Sequence, residues 1–194
     1  FAARERFRAA GLPVPSYRRI PLDADLARAA AESRYPSVLK PLGLSASRGV
    51  IRADHPAGFA AAFHRIRAIL ASPDIVRKHE ELDRFLQVED YIDGREFALE
   101  GILTAGQLRV IALFDKPDPL TGPYFEETLY VTPSRAPHDV QQAIVDATRN
   151  AVQALGLSDG PVHAEMRVNA AGVWMLEVAA RPIGGLCAKA LRFE

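Results

Sequence analysis

Apolar positions recur along this chain with two different periods, and the change between them divides it. Residues 1–10 read as a helix that Gly11 ends, followed by the stiff connector Leu12-Pro13-Val14-Pro15. Asp23 is placed to cap a short alanine-rich helix reaching about Ser33. Ser37-Val38-Leu39-Lys40 predicts a short strand stopped by Pro41. The small-residue loop Gly43-Leu44-Ser45-Ala46-Ser47-Arg48-Gly49 follows, and Val50-Ile51-Arg52 resumes as a strand. Asp54 is then expected to cap a long helix to about Ala71, with Phe59, Phe63, Ile66 and Leu70 spaced along one core-facing stripe.

From Phe85 the period becomes two. Residues 85–91, 96–104 and 107–115 read as three strands joined by turns at Asp93-Gly94 and Ala105-Gly106. A proline-rich loop over 116–123 and an extended piece over 127–132 come next, then a helix over 137–155 closed by Gly156. A hairpin of 162–168 and 173–180 leads into Gly184-Gly185 and a final helix. A small sheet, a helix and a larger antiparallel sheet make the class α+β, in two lobes. The division predicted is opening helices over 1–35, a small lobe over 36–90 and a larger lobe over 91–194.

Composition narrows the functions. Apolar residues make up 48% and charged residues 25%, an ordinary globular balance, and the formal charge is zero. Neutrality argues against nucleic acid or an anionic membrane surface as partner. A single cysteine, Cys187, excludes a disulfide scaffold and a cysteine-based zinc site. With no signal-like segment and no apolar run near the ~18 residues of a membrane span, the expectation is a cytoplasmic chain. Only four of the 24 basic residues are lysines, so a lysine in a suggestive place, such as Lys40, carries more weight than usual. His55, His64, His79 and His138 show no metal spacing. The chain starts in mid-helix without a methionine and reads as part of a longer protein.

The C-terminal hairpin carries the strongest chemical signal. A three-residue Ala170-Ala171-Gly172 loop sets Glu165 opposite Glu177 and His163 opposite Ala179, with Arg181 continuing that face and Ala164, Met166, Leu176 and Val178 on the other. Two facing carboxylates repel unless a proton or cation lies between them. A divalent cation held by oxygens, with positions open to phosphates, suits them; a solvated charged face is the alternative. Lys40 ahead of a Gly/Ser loop can set a point charge on a phosphate, without forming a Walker A motif; the alternative is a surface hairpin with one exposed lysine. Glu89-Asp90-Tyr91-Ile92-Asp93-Gly94-Arg95-Glu96 reads either as an edge strand whose free backbone groups could meet a purine, or as a charged turn.

Taken in order, these segments resemble the ATP-grasp superfamily over nearly the whole chain. The carriers are Arg4 with Ala10-Gly11-Leu12-Pro13-Val14-Pro15, Val38-Leu39-Lys40-Pro41 with its loop, the stretch from Glu89 to Glu96, the Glu165 and Glu177 pair, and Arg181 with Gly184-Gly185. The wording Glu177-Val178-Ala179-Ala180-Arg181 is most similar to carboxylate–amine ligases of the L-amino-acid ligase type. The resemblance implies two lobes with ATP between them, and Mg2+ (or Mn2+) as the metal. It implies Lys40 on the phosphates with Ala46 and Ser47 closing over them, and Glu89, Asp90, Tyr91 and Ile92 at adenine, largely through backbone. Glu96 would take the ribose. Glu127, Glu165 and Glu177 would hold the metal, and His163, Arg181, Gly184 and Gly185 would lie on the substrate side, with Lys40 and Arg181 as the catalytic cations. Tyr130 stands where that family often has histidine, and Ala179 where many members have asparagine. An N-terminal α/β domain and a first phosphate lysine would lie outside this chain.

The implied reaction joins a small-molecule carboxylate to an amine through an acyl phosphate, at the expense of ATP. Two alternatives stay open. One is a nucleotide-binding or regulatory module without turnover, which Ala179 and Tyr130 favour. The other is a different ATP-grasp reaction, such as a biotin-carboxylase-like or D-Ala-ligase-like step. Oligomeric state is not legible.

Overall fold

The computed structural model describes residues 1–76, 81–125 and 129–191. In chain order the elements are α1 (Ala2–Ala9), β1 (Tyr17–Pro21), α2 (Leu26–Ala31), β2 (Ser37–Pro41), β3 (Ile51–Ala53), α3 (Pro56–Leu70), α4 (Pro73–Val76) and a 3-10 turn (Glu81–Arg84). Then follow β4 (Phe85–Asp90), β5 (Arg95–Thr104), β6 (Gln107–Lys116), α5 (His138–Leu155), β7 (Gly160–Asn169), β8 (Gly172–Ala179) and α6 (Cys187–Ala190). The chain divides into two units. One comprises Phe1, Pro15–Tyr91 and the described part of 120–126; the other comprises Ala2–Val14, Ile92–Pro119 and the described part of 127–194. The class is α+β, and among the described residues no helix is long and apolar enough to cross a membrane.

The first unit is an antiparallel sheet in the order β1-β4-β2-β3. The helix α3 lays Phe59, Phe63, Ile66 and Leu70 against Leu39, Ile51, Leu86 and Val88 of the sheet, as the stripe predicted. Caps differ from expectation by one or two residues. His55 caps α3, its Nδ1 accepting from the Gly58 N–H at 3.1 Å, while Asp54 instead pairs with Arg52 at 2.7 Å. Asp25, not Asp23, caps α2, accepting from the Arg28 N–H. The strand β1 carries only one buried residue, Ile20, and so gave no periodic signal. Its pairing with β4 makes β4 an interior strand between β1 and β2, which corrects the reading of Glu89 and Asp90 as part of an edge.

The second unit is an antiparallel sheet in the order β6-β5-β7-β8. One face is apolar: Phe97, Leu99, Leu113, Ala164, Met166 and Met175 pack with Ile144 and Ala151 of α5 and Phe7 of α1. Gly156, at φ 74°, closes α5 in the left-handed conformation that glycine tolerates best. The Asp93-Gly94 turn closes no hairpin, because β4 and β5 lie in different sheets. Gly94 is needed for close approach instead: at φ 115°, a Cβ placed on it would sit 2.4 Å from the Val168 carbonyl oxygen.

The β7–β8 hairpin departs from expectation twice, and the departures cancel. Asn169 pairs with Gly172, so the turn holds two residues, Ala170 and Ala171, rather than three. A β-bulge then inserts one extra residue: Met166 pairs with Met175 and Glu165 with Glu177, leaving Leu176 over. Met175, not Leu176, therefore fills the apolar face.

Candidate functional site

Cross-strand pairing puts Glu165 and Glu177 on one sheet face, with His163 opposite Ala179. Their settings differ. The Glu165 side chain is 15% exposed, whereas Glu177 is 50% exposed and 3.8 Å from the Arg181 Nη2. Glu165 Oε1 lies 3.0 Å from His163 Nε2 and 3.7 Å from Lys116 Nζ. One carboxylate is thus fixed in place while its partner faces water.

The same register builds a buried charged ladder across three strands. Glu96 pairs with Lys116 of β6 and Arg167 of β7, while Glu100 pairs with Ala112 and His163. Lys116 Nζ donates to Glu96 Oε1 at 2.5 Å, and Arg167 Nε donates to Glu96 Oε2 at 2.9 Å. Arg167 also reaches the Ile92 carbonyl at 2.7 Å. His163 is hydrogen-bonded through Nδ1 to Glu100, which is wholly buried. Both ring nitrogens therefore face carboxylates, which only accept, so the ring carries two protons. Burial pushes the imidazolium pKa down, but the hydrogen bonds and charges of Glu100 and Glu165 outweigh it, raising it from 6.5 to about 9. Desolvation of these ions is costly, and their mutual pairing offsets it.

Residues 181–186 follow β8 as an exposed loop anchored at Ile183. Ile183 is buried, and its N–H donates to Glu100 Oε2 at 3.0 Å. Arg181 turns back to the Pro182 carbonyl, while Gly184 and Gly185 stand in open space.

The first unit groups a second set. Lys40 Nζ donates to Glu89 Oε2 at 2.5 Å, and Gln87 donates to Glu89 Oε1 at 2.6 Å. Lys40 stays partly exposed while Glu89 is buried, so the carboxylate orients the lysine from within the sheet. Ala46 and Ser47 both adopt left-handed backbone, at φ 56° and 53°, in the exposed loop after Lys40. Non-glycine residues pay about 1 kcal/mol each for that conformation, a strain found disproportionately at ligand-binding loops. The Asp90 and Tyr91 N–H groups are taken by the Ser16 and Pro36 carbonyls, and Arg52 stacks 4.2 Å over the Tyr91 ring.

Each placement bears on an expectation. Glu96, assigned to ribose, has both oxygens committed to Lys116 and Arg167. His163, assigned to the substrate side, is buried between Glu100 and Glu165. Glu127 lies outside the described residues. Lys116, Arg167 and Glu100 form a group that the sequence does not announce. With prolines close behind it, Lys116 reads as the start of a loop, whereas it ends β6; the scarcity of lysine and the Phe114/Lys116 alternation are the signals that point to it. Tyr130 packs on this end of β6, edge-on to Phe114 and 5.2 Å from Lys116 Nζ.

No three His, Cys, Asp or Glu side chains among the described residues converge as a metal cage. Glu165 and Glu177 nonetheless fit Mg2+, which takes hard oxygen ligands, commonly one or two carboxylates completed by water and phosphate.

The sequence profile of the ATP-grasp domain matches residues 33–190. Among curated proteins the chain is 28% identical over 178 residues to the alanine–anticapsin ligase of Bacillus amyloliquefaciens, covering 85% of this chain and 37% of that one. It is also 28% identical over 158 residues to the dapdiamide A synthase of Enterobacter agglomerans, covering 80% and 35%. The chain thus spans little more than a third of the length of these relatives. Among solved structures, an L-amino acid ligase from Bacillus licheniformis aligns with a TM-score of 0.74 at 28% identity, over 94% of this chain and 40% of that one. A biotin carboxylase from Campylobacter jejuni, at 18% identity and a TM-score of 0.73 over 95% and 40%, shares the fold.

Proposed function

The chain belongs to the ATP-grasp domain family, and from that membership we propose that it is the nucleotide-binding part of an ATP- and Mg2+-dependent ligase that joins a small carboxylate to an amine. The observation that carries this reading is the Glu165–Glu177 pair, one member fixed by His163 and Lys116 and the other open. A solvated face has no use for so much buried charge around one of its carboxylates. The amino-acid ligases among its relatives support the choice of reaction.

Transfer of a phosphoryl group to a carboxylate brings two anions together, so the protein's task is to supply positive charge in the right places. Lys40, held by Glu89, would meet the phosphates, with the backbone of Ala46 and Ser47 over them. Glu89, Asp90, Tyr91 and Ile92 would form the adenine side. Glu165 and Glu177, with Glu127, would hold Mg2+, which when bound neutralises phosphoryl oxygens. Glu96, already carrying Lys116 and Arg167, would accept from ribose through its remaining lone pairs. Arg181 would stabilise the acyl phosphate or the tetrahedral adduct, with His163, Gly184 and Gly185 shaping that side. A cytoplasmic setting follows from the reaction's demand for ATP.

The test is ADP release from the full-length protein given ATP, Mg2+ and pairs of amino acids. ADP and a new amide are expected with at least one pair, and Glu165→Gln should remove both. ATP bound without turnover in any mixture would favour a regulatory module instead.

A further inference from the structure

Glu100 is buried in the middle of β5, and its two oxygens are used by two different parts of the site. One oxygen accepts from His163 Nδ1, and His163 Nε2 in turn holds Glu165 Oε1 at 3.0 Å. The other accepts from the N–H of Ile183 at 3.0 Å, the buried anchor of the exposed loop that carries Arg181, Gly184 and Gly185. An unbroken path of hydrogen bonds therefore runs from that loop through one carboxylate to Glu165.

We infer that Glu100 is a positioning residue that couples occupancy of the metal at Glu165 to ordering of the 181–186 loop. The inference rests on the proposed role of Glu165 as a metal carboxylate. Its physical basis is a count of donors. Two N–H groups, one from His163 and one from Ile183, converge on a side chain that is acceptor-only when ionised. Fixing His163 against Glu165 orients Glu100, and an oriented Glu100 presents its second oxygen to Ile183. Any such coupling is reciprocal: a ligand that orders the loop must tighten the metal by the same factor.

Glu100→Gln is nearly isosteric but uncharged, with one accepting oxygen and an NH2 group; it keeps Ile183 only by turning that NH2 toward His163 Nδ1, which must then give up its proton, leaving a neutral ring with a weaker hold on Glu165. The probe is Mn2+ with ADP, added to the full-length protein. Affinity is read by electron paramagnetic resonance, and loop order by amide hydrogen exchange over 181–186. In the unsubstituted protein Mn2+ with ADP should slow exchange across the loop. In Glu100→Gln the Mn2+ affinity should fall by about tenfold, within the range for partners of metal ligands, and the exchange should cease to respond. A variant with unchanged affinity and an unchanged response overturns the coupling while leaving the ligase reading intact. If the unsubstituted protein binds no Mn2+ with ADP, the ligase reading falls and takes the coupling with it. Should Glu100→Gln fail to fold, Ile183→Pro deletes the loop N–H that reaches Glu100 and leaves His163 bonded. Exchange at 184–186 should then no longer respond to Mn2+ with ADP, and a response equal to that of the unsubstituted protein overturns the inference.

Discussion

Arg4, in the first turn of α1, donates to the carbonyl oxygen of Met175 at 2.5 Å across 171 residues of chain. Its second Nη reaches the Leu176 carbonyl at 3.3 Å. These two carbonyls flank the extra residue of the β8 bulge, where ladder pairing lapses. A buried guanidinium thus holds the bulge that keeps Glu177 opposite Glu165.

Arg4→Leu should strip those carbonyls of the guanidinium's hydrogen bonds. Removing charged, buried hydrogen bonds predicts a loss of about 2–4 kcal/mol, measurable as a lowered midpoint in urea denaturation. Arg4→Lys keeps the charge but cannot fork to two carbonyls, so its midpoint should fall between. A midpoint within ~0.5 kcal/mol of the unsubstituted protein would show that the bulge holds without Arg4.

Lys116→Met should destabilise by about 3 kcal/mol, because Glu96 keeps Arg167 but Glu165 loses a cation in a buried setting. Adding Glu96→Gln should cost less than the sum of the two single changes, since the pair is in direct contact. Strict additivity in a double-mutant cycle would contradict the 2.5 Å contact.

His163 gives stability a pH dependence with a definite sign. Its pKa is raised on folding, to about 9 from an unfolded value near 6.5. The stabilisation is therefore complete below pH 6.5 and lost as pH rises through 9. With a chelator present, unfolding midpoints should decline over that window, and His163→Gln should flatten the decline. An unchanged slope in the variant would place the titrating group elsewhere.

Gly94→Ala and Gly106→Ala separate two roles of glycine. Both backbones have positive φ, 115° and 78°, but only at Gly94 does a Cβ meet an atom, the Val168 oxygen at 2.4 Å. Gly106→Ala should cost about 1 kcal/mol, while Gly94→Ala should cost at least about 2 kcal/mol more through the clash. Equal melting temperatures for the two variants would refute the contact.

The site was legible wherever local pattern alone decides it. Alternation along β7 and β8 identifies which glutamates share a face, and the 4-3-4 stripe on α3 identifies its core. The turn and the bulge were not legible, because a turn one residue shorter and a bulge one residue longer leave the same partners at Glu165 and Glu177. Strand order was hidden as well: β1 offers a single buried residue, Ile20, so nothing in the sequence marks β4 as interior. The Glu96–Lys116–Arg167 ladder needed register across three strands, and Pro117 made the end of β6 read as a loop. The partner of Arg4 was unreadable for the plainest reason, since it lies at the far end of the chain.

Leaving aside the half-exposed Glu177, three largely buried anions, Glu96, Glu100 and Glu165, and three cations, Lys116, Arg167 and protonated His163, share the polar face of the second sheet. Their sum is zero, so any one change leaves an unmatched ion in a poorly solvated place. Descent through sequence space at this face is consequently constrained to move in matched steps: a lineage that loses Lys116 keeps its fold most cheaply by also neutralising Glu96, twenty residues earlier on the adjacent strand. In an alignment of relatives, those two positions should change together, more tightly than either does with its own sequence neighbours.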